Sequence, residues 1–240
     1  MGIPWLTQAL EFPDPQRADA EGIVAAGGDC SVERLLLAYR SGIFPWPINA
    51  RMPLLWFSPD PRYVVVPREA HVGRTIRKQV RRGLFEVRVD TAFREVMLGC
   101  AKVHRPGQRG TWITPELLNG YLRLFEAGYA HSIEAWEGGR LVGGLYGLAL
   151  GKAFFGESMF AERPDASKVA FSVLLGHMIA WDFHFVDCQT HTEHLARFGA
   201  VPWSRTRYLA ALGEAVQHPD PRGRWQWALS ADDALALVPG

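Results

Sequence analysis

Three polar side chains stand where chemistry could be done. Glu157 closes the apolar run AFFGE, and Asp187 and Gln189 end the run FHFVDCQ. Residues two apart on a strand share a face, so Asp187 and Gln189 are expected to point the same way, with Val186 and Cys188 opposite. If the two runs are neighbouring strands, both acids and the amide converge at one end of a sheet, a usual place for a cleft. Such a group could take a proton from a nucleophile and orient it. The structural alternative is that Glu157 pairs with Arg163 or Lys168 and that Asp187 caps the next helix. A lone buried acid is more often structural, and it is the grouping that raises the chemical reading.

Other constellations are weaker. His191 and His194 are three apart, but no third ligand has a matching spacing, so no metal is expected. Ser158 lacks a G-x-S-x-G elbow, and Cys188 has no histidine partner in sequence and reads as core. No Walker or Rossmann fingerprint occurs; GGLYGLALG precedes no helix.

The elements that would position these groups centre on Val142–Lys168. It reads as a strand, a Gly turn, a second strand, and a polar segment entering a helix. Its glycines at 143, 144, 147, 151 and 156 suggest bulges or room for a ligand. Upstream, Asp29 or Ser31 caps a helix that stops at Gly42, and a segment dense in Pro and aromatics follows. Tyr63–Val66 is a short strand. Near it falls a boundary between a small N-terminal domain, 1–62, and a larger one, 63–240. In VGRTIRKQVRRG, Val72, Ile76 and Val80 form a buried stripe, so Arg74, Arg77, Lys78, Arg81 and Arg82 lie outward. A solvated surface helix is the plain reading. Five unopposed cations in a nearly neutral chain favour a phosphate backbone. A strand over 84–90, helices over 91–103 and 115–127, and the loop HRPGQRGTW with further cations come next. Then follow a hairpin over 131–150, a helix opened by Asp165 or Ser167, a strand over 183–189, and a helix over 190–200. The whole is α+β, with a mostly antiparallel sheet flanked by helices. Its strand–strand–helix–strand run over 140–190 fits an acyltransferase-like sheet of the N-acetyltransferase type by analogy.

Composition narrows the class. The 240 residues carry a net charge of +1, so a nucleic-acid partner needs a local basic patch. Nine Trp are enough for several to line a pocket or interface. Cys30, Cys100 and Cys188 give neither a disulfide framework nor a zinc spacing, which points to a reducing, cytoplasmic setting. The opening MGIPWLTQALEFPDP lacks signal-peptide regions, and no apolar run approaches the roughly 20 residues of a membrane span.

GGDCSVERLLLAYRSGIFPW, LLWFSPDPR, GTWIT, GYAHSIEAW, LVGGLYGLALGKAFFGESMF, ASKVA and VDCQ stand in order across residues 20–210. Together they closely resemble the leucyl/phenylalanyl-tRNA–protein transferases. The resemblance implies an enzyme that moves Leu or Phe from its tRNA to proteins beginning with Arg or Lys. The product is an N-degron, delivered to an adaptor and a protease. It implies no metal or nucleotide cofactor, no membrane, and a monomer. The fold it implies is a small N-terminal domain followed by an acyltransferase-like domain.

By similarity, Asp187 and Gln189 orient and help deprotonate the attacking amine, with Asp187 polarising the Gln189 side-chain amide. Glu157 lies beside the reacting ester. Trp46, Trp112, Leu145, Phe154, Met159 and Val186 are implied for the aminoacyl pocket and the terminal adenine. The helix over 74–82 is implied to hold tRNA phosphates. Family members often carry Met where this chain has Leu145, which bears on the balance of Leu, Phe and Met. Two rivals make different predictions. An acetyl-CoA-dependent transferase needs a Gly-containing pyrophosphate loop, and MFAERPDASK has none. A non-catalytic RNA-binding module leaves Glu157, Asp187 and Gln189 without a task.

Overall fold

The computed structural model describes residues 2–48, 52–103 and 111–239. Most of the cationic loop expected over 104–112 lies outside these residues. Two sheets carry the architecture. In the first, β1 (Trp5–Leu6) pairs in parallel with β2 (Ile23–Gly27). Helix α1 (Val32–Arg40) then leads to β3 (Phe44–Pro45) and β4 (Leu55–Phe57), giving the order β1-β2-β4-β3. Helix α1 starts where Ser31 Oγ accepts from the Arg34 N–H at 3.3 Å, and it gives way to Gly42 at φ 75°.

The rest of the chain runs β5 (Arg62–Val65), α2 (Arg74–Arg81), β6 (Glu86–Val89), α3 (Phe93–Lys102), α4 (Pro115–Glu126), β7 (Ala130–Glu137), β8 (Arg140–Leu150) and β9 (Ala153–Ala161). It continues with α5 (Ala166–Ala180), β10 (Phe185–Asp187), α6 (Glu193–Ala196), β11 (Val201–Trp203), α7 (Arg205–Ala215) and α8 (Ala231–Leu237). These strands form a seven-stranded sheet in the order β11-β5-β10-β9-β8-β7-β6. Only β9 and β10 pair in parallel, joined through α5; the other neighbours are antiparallel. The fold is α+β with a mostly antiparallel sheet, as the alternating patterns imply.

Side-chain alternation sends the core to both faces of this sheet. Tyr146, Phe155 and Phe185 pack with Leu35, Tyr39, Trp56, Met97, Tyr121 and Tyr208, which ties the small sheet to the large one. Leu145, Phe154 and Val186 face the other way, toward Ile76, Phe171, Leu174 and Leu235. Helix α5 is buried on nearly every side because the sheet covers one face and α8 another. A Cβ on Gly176 would come 2.0 Å from the Ala234 carbonyl oxygen, so only glycine lets α8 lie that close.

Several boundaries differ from the sequence reading. The strand expected over 183–189 is cut to Phe185–Asp187, and at its C-terminal end Gln189 sits at φ 57°, outside the extended region. The helix expected over 190–200 contracts to Glu193–Ala196. The segment GESMFA stays in β9 rather than leaving the sheet. The glycines of β8 make room for protein, not ligand. A Cβ would meet Ala166 Cβ at 2.6 Å from Gly143, the Ile133 oxygen at 2.6 Å from Gly144, and the Phe155 oxygen at 2.2 Å from Gly147. Of the five, only Gly156 borders open space.

Candidate active site

The cavity follows from strand length. Strand β10 ends at Asp187, opposite Phe155, while β9 runs on to Ala161. The β9 edge from Gly156 to Ala161 therefore has no strand beside it, and those residues line a cavity of about 470 Å³. Phe44, Pro45 and Trp46 of the small sheet close one side, and Trp112, Phe171 and Leu195 contribute elsewhere. Leu145, Met159 and Val186 add to a largely apolar wall. Trp46 is 41% exposed, whereas Trp112 is buried.

Glu157 is aimed into this space by a β-bulge. Ser158 pairs with Tyr146 and Gly156 with Gly147, so Glu157 is the extra residue of β9. Its Oε2 accepts from the Tyr121 hydroxyl at 2.7 Å, and its Oε1 accepts from Gln189 Nε2 at 3.2 Å. The Tyr121 hydroxyl is also hydrogen-bonded to that of Tyr39. Burial pushes the Glu157 carboxyl up to about 7; the hydroxyls of Tyr121 and Tyr39 pull against that rise, and Asp187 adds to it. Burial likewise holds Tyr39 and Tyr121 well above the usual phenol range. Glu157 pairs with neither Arg163 nor Lys168, which bind Glu137 and Asp165 instead. It is the sole carboxyl among the described lining residues.

Asp187 is not in the cavity wall. It faces the opposite side of β10 from Val186 and is fully buried against Arg62. Arg62 Nε donates to its Oδ1 at 2.8 Å and Nη2 to its Oδ2 at 2.7 Å, while the Tyr208 hydroxyl donates to Oδ2 at 2.8 Å. The expected contact between Asp187 and the Gln189 side-chain amide does not form. Gln189 leaves the strand in a left-handed turn, so its side chain swings into the cavity and reaches Glu157, and only its backbone N–H reaches Asp187, at 2.9 Å. Cys188, expected in the core, is buried but also lines the cavity, on the side of Val186. His191 and His194 pack on Tyr63 and Phe198, and no metal-holding group of three or more ligands occurs among the described residues.

Of the expected pocket residues, Trp46, Trp112, Leu145, Met159 and Val186 line the cavity. Phe154 does not: it packs beneath Gly147 and against Trp225. On α2, Arg74, Lys78, Arg81 and Arg82 are exposed. Arg77 is not free, because its guanidinium donates to the carbonyls of Val72, Leu235, Val238 and Pro239. Helix α2 is tied to the start of α5 through Gln79, which donates to Asp165 at 3.0 Å; α5 in turn supplies the lining residues Ser167 and Phe171. The sequence reading missed Arg62, Tyr208, Tyr39, Tyr121 and Phe171. The motif segments SPDPR and LLLAYR contain two of them, but no spacing marks them as site residues.

A carboxyl raised toward neutrality by burial, an amide on it, and an apolar cavity at a gap in an α+β sheet mark the candidate active site of an enzyme that moves a proton. Comparison with known proteins makes this particular. A family model described as leucyl/phenylalanyl-tRNA protein transferase matches residues 64–213, and a model of that enzyme's N-terminal domain matches residues 28–60. A leucyl/phenylalanyl-tRNA–protein transferase of Myxococcus xanthus is 57% identical over 92% of this chain and 94% of its own. One from Anaeromyxobacter is 53% identical over 98% and 99%. The chain belongs to the leucyl/phenylalanyl-tRNA–protein transferase family. Among solved structures, L-PGS from Bacillus licheniformis is 12% identical with a TM-score of 0.37, covering 80% of this chain and 64% of its own, which is too low to bear on fold or function.

Proposed function

We propose that this chain transfers leucine or phenylalanine, with methionine as a further donor, from aminoacyl-tRNA to the N-terminal Arg or Lys of proteins. The α-amine nitrogen attacks the ester carbonyl, a peptide bond forms, and the bond to the terminal ribose oxygen breaks. The amine proton passes to Glu157 and then to the departing ribose oxygen. Gln189 orients the Glu157 carboxylate, and Asp187 acts from behind the wall. The observation that carries this reading is the placement of Glu157 as the sole carboxyl among the described residues of an apolar cavity wall, held by Tyr121 and Gln189; burial raises that carboxyl toward neutrality, as a base that must be ionised and still accept a proton requires.

Leu145, Met159 and Val186 form the side-chain wall in this reading, and Met159 bends to fit either a branched or an aromatic donor. Trp46 and Trp112 stack the terminal adenine. Arg74, Lys78, Arg81 and Arg82 hold acceptor-stem phosphates, which position without reading sequence. We propose that residues 1–62 form the small domain and 63–240 the catalytic one. The small sheet ends at Phe57 and the large sheet begins at Arg62, which supports that division. The enzyme acts as a cytoplasmic monomer; no described helix is long and apolar enough to cross a membrane.

The test is direct. The protein is incubated with leucyl-tRNA and a peptide beginning with Arg, and the product is weighed by mass spectrometry. A leucine-extended peptide is the expected outcome. Its absence with intact charged tRNA, or an acetylated peptide formed from acetyl-CoA, overturns the reading.

A further inference from the structure

We propose that Arg62 is a positioning residue for this transfer: its clamp on Asp187 fixes the turn that carries the Gln189 amide to Glu157. The inference rests on the function proposed above. The path is continuous. Asp187 Oδ1 accepts from Arg62 Nε at 2.8 Å and from the Gln189 backbone N–H at 2.9 Å. The Gln189 carbonyl accepts from the N–H of Tyr63, the residue beside Arg62, at 3.2 Å. So β5 holds Gln189 from both of its backbone groups, once directly and once through Asp187. Gln189 is left-handed at φ 57°, a conformation a non-glycine residue keeps only where its surroundings impose it. From there Nε2 donates to Glu157 Oε1 at 3.2 Å.

Arg62 is itself fixed. Its guanidinium lies between the rings of Phe44 and Tyr208, 4.6 and 4.5 Å from their centroids. Nη1 donates to the Gly42 carbonyl at 3.2 Å, at the end of α1. Two donors in a rigid fork meet both oxygens of Asp187, a match lysine cannot make. A buried pair of this kind is weak evidence for stability by itself, because its desolvation offsets its attraction. Here it orients a residue of the cavity wall while neither Arg62 nor Asp187 lines the cavity itself.

The experiment is a double-mutant cycle on kcat and KM with charged leucyl-tRNA and an Arg-initiated peptide. R62K is expected to lower kcat about 10-fold or more, with KM for leucyl-tRNA within about twofold. In a Q189A background R62K is expected to add less than about twofold, because both changes break one path. A structural role alone gives equal losses in the two backgrounds. Equal losses, or a loss confined to KM, overturn the proposal. If R62K does not fold, Y208F, which removes the hydroxyl that donates to Asp187 and accepts from Arg62 but removes no charge, is run through the same cycle with the same criterion. No transfer by the wild-type protein overturns the proposed function; transfer with additive losses overturns only the role of Arg62.

Discussion

Glu157 is the residue on which pH acts most directly. Its folded carboxyl sits at about 7 against an ordinary value of 4.5, so between those values the folded protein holds a proton that the unfolded chain has released. Stability contributed by that proton is therefore fully present below about 4.5 and lost as pH rises through about 7. Activity runs the other way, because only the carboxylate accepts a proton. Glu157 is expected to contribute a limb that climbs about tenfold per pH unit below about 7, in addition to the limb of the acceptor's α-amine, which titrates at about 8. E157Q should remove that limb, lower kcat by about 10²–10⁴-fold, and remove the Glu157 share of the stability change between about pH 4.5 and 7 in urea titrations, leaving the opposite share of the buried His131 and His177 and the half-buried His194. A limb centred at about 7 that persists in E157Q, apart from that of the α-amine, would assign this titration to another group. The sequence made Glu157 and Gln189 legible because each is a polar residue closing an apolar run, AFFGE and FHFVDCQ, although Glu157 lies inside β9 rather than at its end. It placed Asp187 beside them in the cavity, since strand alternation cannot reveal that Gln189 has left the strand. Arg62 was invisible: its partner is 125 positions away, and such a pairing leaves no local pattern.

Among the elements, α2 was read correctly as a helix because Val72, Ile76 and Val80 repeat at four, and all three are buried. Its outer face was read too generously. The α8 end of the chain has taken Arg77, whose bonds to Leu235, Val238 and Pro239 make it a strut between two helices. The two kinds of cation should separate in experiment. K78A with R81A is expected to weaken tRNA binding and to reduce the slope of log K against log salt by about 0.9 per lost phosphate contact. R77A is expected to lower the melting temperature while leaving that slope unchanged. A reduced slope in R77A, measured on folded protein, would return it to the phosphate-binding set. The glycines of β8 carry the same lesson: a run of glycine in a strand shows that something comes close, and here α5 and neighbouring strands come close rather than a ligand.

At the scale of the whole molecule, the chain after 215 closes the face of the large sheet opposite the small one. Trp225 stacks on His131 at 3.7 Å and 11°, its backbone N–H donates to Asp90 at 2.8 Å, and its indole N–H donates to the Pro221 carbonyl at 3.1 Å. Trp227 donates to the Val87 carbonyl at 3.2 Å and so satisfies one backbone group on the edge strand β6. None of this was legible, because the tail has no periodicity of its own and its partners lie on β6, β7 and α5. Trp residues after 215 therefore belong to folding, and Trp46 and Trp112 to the cavity. Truncating a buried Trp costs about 3–5 kcal/mol. W225A is expected to lose that much in guanidinium unfolding, with kcat and KM unchanged at temperatures where the variant stays folded, since Trp225 does not line the cavity. W112A, also the truncation of a buried Trp, is expected to cost comparable stability and in addition to raise KM for leucyl-tRNA about 10-fold or more, because Trp112 lines the cavity. Equal kinetic losses in both variants would mean that the tail shapes the cavity through α5, whose Ser167 and Phe171 line it, rather than only sealing the sheet.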